Sequence, residues 1–173
     1  MPLGGKGPSS KIKTKFSLCA MDALVNLTED LVEAILQQYG ELEKLNLSNN
    51  GLQNIENIVK LASLEKLNLR CNDLIDIRPL GGLVHLQKLD LSQNHIMDAT
   101  PLQVLSKLTD LDLSENDIAT VNSVRSLASI PGLTSLNLRG NPICETLGYP
   151  GSILLVLPGI SSLDGTDRKI LLS

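Results

Sequence analysis

The central stretch of the chain begins with Leu42-Glu-Lys-Leu45-Asn-Leu47-Ser-Asn-Asn50, and this pattern recurs four more times. The further copies are Leu64-Glu-Lys-Leu67-Asn-Leu69-Arg-Cys-Asn72, Leu86-Gln-Lys-Leu89-Asp-Leu91-Ser-Gln-Asn94, Leu108-Thr-Asp-Leu111-Asp-Leu113-Ser-Glu-Asn116 and Leu133-Thr-Ser-Leu136-Asn-Leu138-Arg-Gly-Asn141. The copies start at 42, 64, 86, 108 and 133, so the period is 22 residues three times and then 25. A period of this length predicts a solenoid in which each repeat packs only on its neighbours.

Within each repeat, leucines alternate with polar residues, as Leu45 and Leu47 do around Asn46. This alternation predicts a short strand with inward-pointing leucines, and stacked repeats place such strands side by side in a parallel sheet. Aliphatic residues then follow the closing asparagine at every third position, which fits 3₁₀ or extended turns on the convex side. The fourth repeat holds three extra residues, which predict a short α-helix ended by Pro131.

One asparagine closes every repeat. The five copies are Asn50, Asn72, Asn94, Asn116 and Asn141. Each follows a strand where the chain turns and leaves backbone groups unpaired, and a buried amide can both donate to and accept from such groups. We therefore interpret these residues as a structural ladder and not as a ligand site.

The residues before the repeats divide into a basic arm, 1–15, and a cap, 16–41. The arm contains four lysines and no acid, so we expect either a mobile, solvated tail or a contact with an acidic surface. Within the cap, apolar residues recur at helical spacing at Leu31, Ile35, Leu36 and Tyr39. Asn26 or Thr28 can begin this helix and Gly40 suits its end, while residues 24–27 are expected to form a degenerate first strand.

The repeats resemble the short, 22-residue class of leucine-rich repeat, typified by the protein phosphatase-1 regulatory leucine-rich repeat protein. The residues after them resemble the cap that closes this class, with Asn141-Pro142-Ile143, then Tyr149, then Ile153-Leu-Leu-Val-Leu157-Pro-Gly-Ile160-Ser-Ser-Leu163-Asp164-Gly165. The same cap occurs in the spliceosomal snRNP A-prime protein, the acidic nuclear phosphoproteins and axonemal dynein light-chain proteins. One departure is Pro150-Gly151, because family caps usually carry a charged residue after the tyrosine.

The resemblance implies an α/β solenoid. It would be a right-handed leucine-rich repeat horseshoe with a concave parallel sheet, convex 3₁₀ or extended turns, an N-terminal helical cap and a C-terminal cap. The five repeats would occupy 42–141 and the C-terminal cap 142–173.

Composition and charge narrow the class of protein. The chain has 173 residues with a formal charge of −4, which divides into a basic arm and an acidic remainder. Three cysteines without paired spacing argue against a disulfide framework and for a reducing compartment. The sequence shows neither a signal peptide nor an apolar run long enough to span a bilayer. We therefore expect an intracellular, monomeric protein in the cytoplasm or nucleus, and a cilium or the cytoskeleton is also open as its location.

Residues that could carry catalysis are few. The two histidines, His85 and His95, have no nucleophile at a matching spacing and are interpreted as solvated loop residues. No phosphate-binding glycine loop, zinc spacing or EF-hand pattern is present. The cysteines are expected to be buried small apolar groups, with Cys71 the most exposed of them. The sequence thus predicts a protein that is not an enzyme and needs no cofactor or metal.

The outward-facing positions of the strands form the candidate partner-binding surface. Its selected residues are Lys44, Asn46, Lys66, Asn68, Arg70, Lys88, Asp90, Asp110, Asp112, Glu115, Asn137 and Arg139. Like charges in facing positions are unfavourable. Either the face is merely solvated, with Glu43 and Glu65 screening the lysines, or it is a docking surface with a cationic N-terminal half and an acidic C-terminal half. On the second interpretation, Arg70 and Arg139 are the best anchors.

The function predicted from these features is a non-catalytic scaffold that binds a protein partner on its concave face. The resemblance makes a phosphatase-regulatory or a cytoskeletal or ciliary adaptor plausible. The alternative is a ribonucleoprotein or nucleic-acid-associated component that uses the basic arm, and the acidic body argues against it.

Overall fold

The computed structural model describes the backbone of residues 15–17 and all of residues 26–173, and these residues form an eight-stranded sheet. The strands are β1 (Lys15–Ser17), β2 (Lys44–Asn46), β3 (Lys66–Asn68), β4 (Lys88–Asp90), β5 (Asp110–Asp112), β6 (Ser135–Asn137), β7 (Ser162–Leu163) and β8 (Thr166–Asp167). They lie in sequence order, and every neighbouring pair is parallel except β7 and β8, which are antiparallel. The solenoid with a parallel sheet is therefore confirmed.

The register of the sheet follows directly from the repeat period. Leu45 pairs with Leu67 and Leu67 pairs with Leu89, so equivalent positions of successive repeats lie beside one another. Because side chains alternate along a strand, these leucines all point to the same side of the sheet and are 2–3% exposed. The core is built of such stacked aliphatic columns, and the polar residues between them face the open side.

The convex side consists of short turns of helix, as predicted. Three 3₁₀ helices span Glu56–Lys60, Arg78–Gly82 and Thr100–Val104. The three extra residues of the fourth repeat lie where a short α-helix, α2 (Asn122–Arg125), runs into a further 3₁₀ turn. The predicted helix is thus confirmed, and the turn ends just before Pro131.

The asparagine ladder joins each repeat to the one before it. Nδ2 of Asn94 donates to the carbonyl oxygens of Leu69 and Leu91, both at 3.0 Å. Its Oδ1 accepts from the backbone N–H of Leu74, also at 3.0 Å. Asn72 and Asn116 make the equivalent bonds, and all of these side chains are buried. The structural interpretation of the ladder is therefore confirmed.

The residue before each ladder asparagine adopts a left-handed backbone conformation, which the sequence analysis did not anticipate. Its φ angles are 60°, 55°, 58° and 53° at Asn49, Cys71, Gln93 and Glu115, and 73° at Gly140. Only the fifth repeat uses the residue type that takes this conformation without strain. The turn geometry is thus held by the surrounding hydrogen bonds, even where the side chain opposes it.

The N-terminal cap contains a helix in the predicted place. α1 (Glu29–Tyr39) begins after Thr28, whose Oγ1 accepts from the N–H of Leu31 at 3.3 Å, and it ends at Gly40 with φ 67°. It buries Val32, which the sequence analysis did not select, together with Ile35. Val32 was missed because the expected apolar stripe was drawn through Leu31, which is only half buried.

The expected first strand within 24–27 is not found in the part of that range that the structure describes. Asn26 makes only an isolated parallel bridge with Asn54, on the segment that follows the first ladder asparagine. The strand that extends the sheet is instead β1, which pairs with β2 and begins at Lys15, the last residue assigned to the basic arm. The rest of that arm, residues 1–14, lies outside the described residues.

The C-terminal cap closes the core with α3 (Gly151–Val156) and α4 (Arg168–Leu171). Tyr149 Oη donates to Asp164 Oδ2, while Oδ1 of the same carboxylate accepts from the N–H of Leu138 at 2.7 Å. Burial and this bond to Asp164 raise the pKa of the Tyr149 phenol well above its usual range. The Arg168 guanidinium donates to the Leu154 carbonyl at 2.9 Å, near the end of α3. The cap therefore seals the last repeat with hydrogen bonds as well as with apolar packing.

One of the two cysteines in the described part of the chain differs from expectation. Cys71 is exposed, as predicted, whereas Cys144 is half buried and its Sγ donates to the Leu138 carbonyl at 3.0 Å. The prediction of a buried apolar group is therefore wrong for Cys144, while the exposure of Cys71 is explained by its left-handed position, with φ 55°. Cys19 lies outside the described residues.

Candidate protein-binding face

The open side of the sheet forms a concavity of about 490 Å³. Its lining residues are Lys44, Leu45, Asn46, Lys66, Leu67, Asn68, Lys88, Leu89, Asp90, Asp110, Leu111, Asp112, Ser135 and Asn137. The leucines among them are almost entirely covered, so the accessible surface is made by the polar residues of β2 to β6. We call this surface the concave face.

Nine of the twelve predicted partner-binding residues line this concavity. The other three, Arg70, Glu115 and Arg139, are exposed and follow the ends of their strands, so they lie beyond its border. Ser135 also lines it, although the sequence analysis did not select it as a binding residue. The positions within the repeat predicted which residues lie on the open side of the sheet, but they did not define where the concavity ends.

Three lysines form a column along the N-terminal half of the concave face. Lys44 pairs in register with Lys66, and Lys66 pairs with Lys88. Of these three lysines, only Lys88 has a carboxylate partner within residues 26–173, and its Nζ is 3.3 Å from Asp110 Oδ2. Lys44 and Lys66 form no ion pair with any described residue.

Glu43 and Glu65, the acidic residues next to two of these lysines, form no ion pair with the column. Neither carboxylate lies within ion-pair distance of a lysine of this column. The contact these residues make with the next strand is through the backbone, since the Glu43 carbonyl accepts from the N–H of Lys66 at 2.9 Å. The positive charge of Lys44 and Lys66 therefore remains uncompensated by neighbours in the described part of the chain.

The next column contains only asparagine and aspartate, and the structure gives the reason. Oδ1 of Asp90 accepts from the N–H of Ser92 at 3.0 Å, and Asp112 does the same with Ser114 at 2.9 Å. The equivalent asparagines in the other three repeats, Asn46, Asn68 and Asn137, also accept from the N–H two residues ahead. Asn and Asp are the residue types that favour this local turn.

This turn requires one side-chain oxygen and no charge. Asparagine performs the same role in three repeats, so the negative charges of Asp90 and Asp112 are not needed to end their strands. Asp112 uses its second oxygen to accept from Asn137 Nδ2 at 3.0 Å. The second oxygen of Asp90 makes no hydrogen bond within the described chain. Every repeat has Asn or Asp at this position, so the sequence does carry a signal for the turn. The sequence analysis considered these residues only as part of the binding surface.

The residues considered for catalysis are arranged on the outer surface. His95 lies between Asp73 and Asp117, with nitrogen–oxygen distances of 3.9 and 3.5 Å, and all three are about half exposed. His85 Nδ1 is 3.0 Å from Lys107 Nζ. Across the residues that the structure describes, no group of three or more His, Cys, Asp or Glu is placed to hold a metal ion. Nor does that part of the chain contain a helix with the length and apolar character needed to cross a membrane.

Comparison with protein families finds the repeats directly. The family described as "Leucine Rich repeats (2 copies)" matches residues 41–82 and 62–104, and the family described as "Leucine Rich repeat" matches residues 104–121. Leucine-rich repeat and coiled-coil domain-containing protein 1 of Xenopus laevis is 44% identical over a match that covers 28% of this chain. This match spans only 6% of the length of that relative.

Solved structures share the architecture. Internalin C2 from Listeria monocytogenes superposes with a TM-score of 0.63 at 31% identity, covering 76% of this chain and 54% of that one. A leucine-rich repeat protein from Leptospira interrogans gives a TM-score of 0.64 at 27% identity, covering 80% and 33%. A chain of the SNF/U2A′ complex of Drosophila melanogaster gives 0.67 at 21% identity, covering 84% and 86%, and this likeness concerns the fold alone.

The repeats matched over residues 41–121 and the shared architecture carry one conclusion about the fold. This chain has the solenoid fold of the leucine-rich repeat proteins, a fold typical of protein–protein interaction scaffolds.

Proposed function

We propose that this protein is a non-catalytic scaffold that binds a protein partner on its concave face. The observation that carries the proposal is the pair Lys44 and Lys66, which lie in register and have no ion-pair partner among the described residues. Like charges in facing positions of adjacent strands destabilise the fold, and nothing within the described chain offsets this effect for Lys44 and Lys66. A partner with carboxylates at this surface would offset that cost.

The acidic half of the concave face supports the same proposal. Asp90 and Asp112 lie in register on β4 and β5, although asparagine fulfils the local turn equally well in the other repeats. The charge of Asp90 is therefore surplus to the fold, whereas the second oxygen of Asp112 accepts from Asn137 Nδ2 at 3.0 Å. Electrostatic complementarity across an interface accelerates association and selects the partner, which gives such surplus charge a function.

The resemblance to the 22-residue repeat class suggests the setting. We propose a phosphatase-regulatory, cytoskeletal or ciliary adaptor working inside the cell, in the cytoplasm or the nucleus. The second candidate is a ribonucleoprotein component. It is supported by the fold shared with a chain of the SNF/U2A′ complex, and opposed by the carboxylates of Asp90, Asp110 and Asp112, which would repel phosphates.

The test removes charge without disturbing the fold. Asp90→Asn retains the turn oxygen, and Lys44→Gln with Lys66→Gln retains the side-chain stems. The matched control is Lys107→Gln with Glu145→Gln, which removes one exposed charge of each sign elsewhere. Each protein is used for affinity capture from lysate of the source organism, with quantitative mass spectrometry and circular dichroism melts.

We expect all three variants to melt within a few degrees of the parent. Both concave-face variants should lose a partner that the parent and the control capture in stoichiometric amount. If that partner is retained by both concave-face variants, the binding site lies elsewhere. If nuclease treatment releases it from the parent, the ribonucleoprotein alternative replaces the scaffold.

A further inference from the structure

The charges of the concave face are ordered along the solenoid axis, perpendicular to the strands. Adjacent strands are separated by about 4.8 Å, so each column places one side chain per step of this length. One column reads Lys44, Lys66, Lys88, Asp110, and its neighbour reads Asn46, Asn68, Asp90, Asp112. The face is therefore positive at β2 and β3, of mixed charge at β4, which carries Lys88 and Asp90, and negative at β5.

Only some of these charges are free to bind a partner. Lys88 and Asp110 neutralise each other through their 3.3 Å ion pair. Asp112 has both oxygens occupied, by Ser114 and Asn137. Among the described residues this leaves the ammonium groups of Lys44 and Lys66, one strand apart, and the second oxygen of Asp90, one strand further along.

This arrangement discriminates among classes of partner. A polyanion such as RNA would satisfy the lysines but would bring phosphates against three aspartates. A uniformly basic segment would be repelled by the free ammonium groups of Lys44 and Lys66. The leucine floor is only 2–3% exposed, so an apolar segment gains little area to bury. A protein segment with both charges in a fixed order fits all the free groups at once.

Resting on the proposed function, we infer that the partner presents a charge-polarised segment to the concave face. Its two acidic side chains lie on Lys44 and Lys66, and a basic side chain about 5–10 Å along the solenoid axis lies on Asp90. The segment is therefore bound in one orientation, with its acidic end towards the N-terminal repeats. Because the contacts are exposed charge pairs, the complex weakens as ionic strength rises.

The probe is a synthetic peptide with three Glu, a two-residue Ser spacer and three Lys, capped at both ends. One version carries a nitroxide at the Glu end and a second carries it at the Lys end. A peptide of the same composition with alternating Glu and Lys serves as the composition control. Paramagnetic broadening of backbone amides is measured by NMR on the isotope-labelled full chain at low and physiological salt.

The nitroxide at the Glu end should broaden the amides of Lys44 and Lys66 at least about twofold more than that of Asn137, and the nitroxide at the Lys end should reverse the ratio. Asp90→Asn should reduce both ratios towards one while leaving the melting temperature unchanged. The alternating peptide should show no end preference. Equal ratios for the two labels, or broadening centred outside the concave face, would overturn the inference.

The two hypotheses fail separately. If the concave-face variants lose a captured partner but the peptide shows no preferred orientation, the face binds protein and only the polarity is wrong. If capture is unaffected by the variants, the proposed function fails, whatever the peptide does. An all-Glu peptide that binds as tightly as the polarised one counts against the role of Asp90, and with it the inference.

Discussion

The ladder amide of Asn94 offers the most direct test of how the solenoid is held together. Replacing it with alanine removes the acceptor for the Leu74 N–H and the donors to the Leu69 and Leu91 carbonyls. All three of these bonds are buried, and Asn94 itself is 5% exposed. Alanine is too short to replace the lost partners, so the Leu74 N–H is left unsatisfied, whereas the Leu69 and Leu91 carbonyls each keep one amide donor, from Asn72 and Asn116.

The size of the effect follows from counting these groups. Each buried donor or acceptor left without a partner costs about 1–3 kcal/mol. Taken at about 1 kcal/mol each, one unsatisfied donor and two lost hydrogen bonds reduce the free energy of unfolding by about 3 kcal/mol. For a chain of this length, that corresponds to a fall in melting temperature of roughly 6–12 °C.

Urea unfolding followed by circular dichroism measures this difference. The matched control is Asn122→Ala, the same chemical change at an exposed residue of α2, which should alter stability by less than about 0.5 kcal/mol. If Asn94→Ala loses no more stability than the control, the ladder does not hold the repeats together and the energetic argument is wrong.

Three further results are expected. Gly140→Ala should lower the free energy of unfolding in urea by about 1–2 kcal/mol, because φ is 73° and the new Cβ would lie 3.0 Å from Glu115 Cγ. A stability equal to that of the parent would contradict this expectation. Removing 142–173 should cause aggregation in size-exclusion chromatography, since the last repeat loses its cover; a soluble monomer with a cooperative melt would count against the cap. Burial raises the Tyr149 pKa, so the folded protein keeps a proton that the unfolded chain loses above about pH 10. Stability should therefore fall there with rising pH, by about 1 kcal/mol more between pH 10 and 11 than in Tyr149→Phe, and equal slopes in the two proteins would contradict it.

The architecture was predictable because each inward leucine and each ladder asparagine has a role that few other residues can perform. Leu45 and Asn50 and their equivalents recur at a fixed period, and the register of the sheet repeats that period. β1 was not predictable in this way, because Lys15–Ser17 carries no copy of the pattern. It joins the sheet by pairing its backbone with β2, and backbone pairing leaves little trace in sequence.

The candidate face was predictable as a set of positions but not as a set of available charges. The repeat period places Lys88 beside Lys66 and Asp110 beside Lys88, but only the side-chain geometry shows that Lys88 and Asp110 form an ion pair. The local role of Asp90 was hidden for a similar reason, since turn formation and surface charge call for the same residue type. Only the side-chain geometry separates the group that is used by the fold from the group that is free.

The fourth repeat shows where this solenoid can absorb a change in length. Its three additional residues lie beside α2 on the convex side, while Leu111 and Leu136 remain in register across the sheet although they are 25 positions apart. Additional residues on the convex side therefore leave the register of the strands that form the concave face unchanged. A fluorophore attached to an exposed side chain of this segment, such as that at position 122, should report on the protein without altering the spacing of Lys44, Lys66 and Asp90. The same independence would let the outer surface diversify while the binding face is preserved.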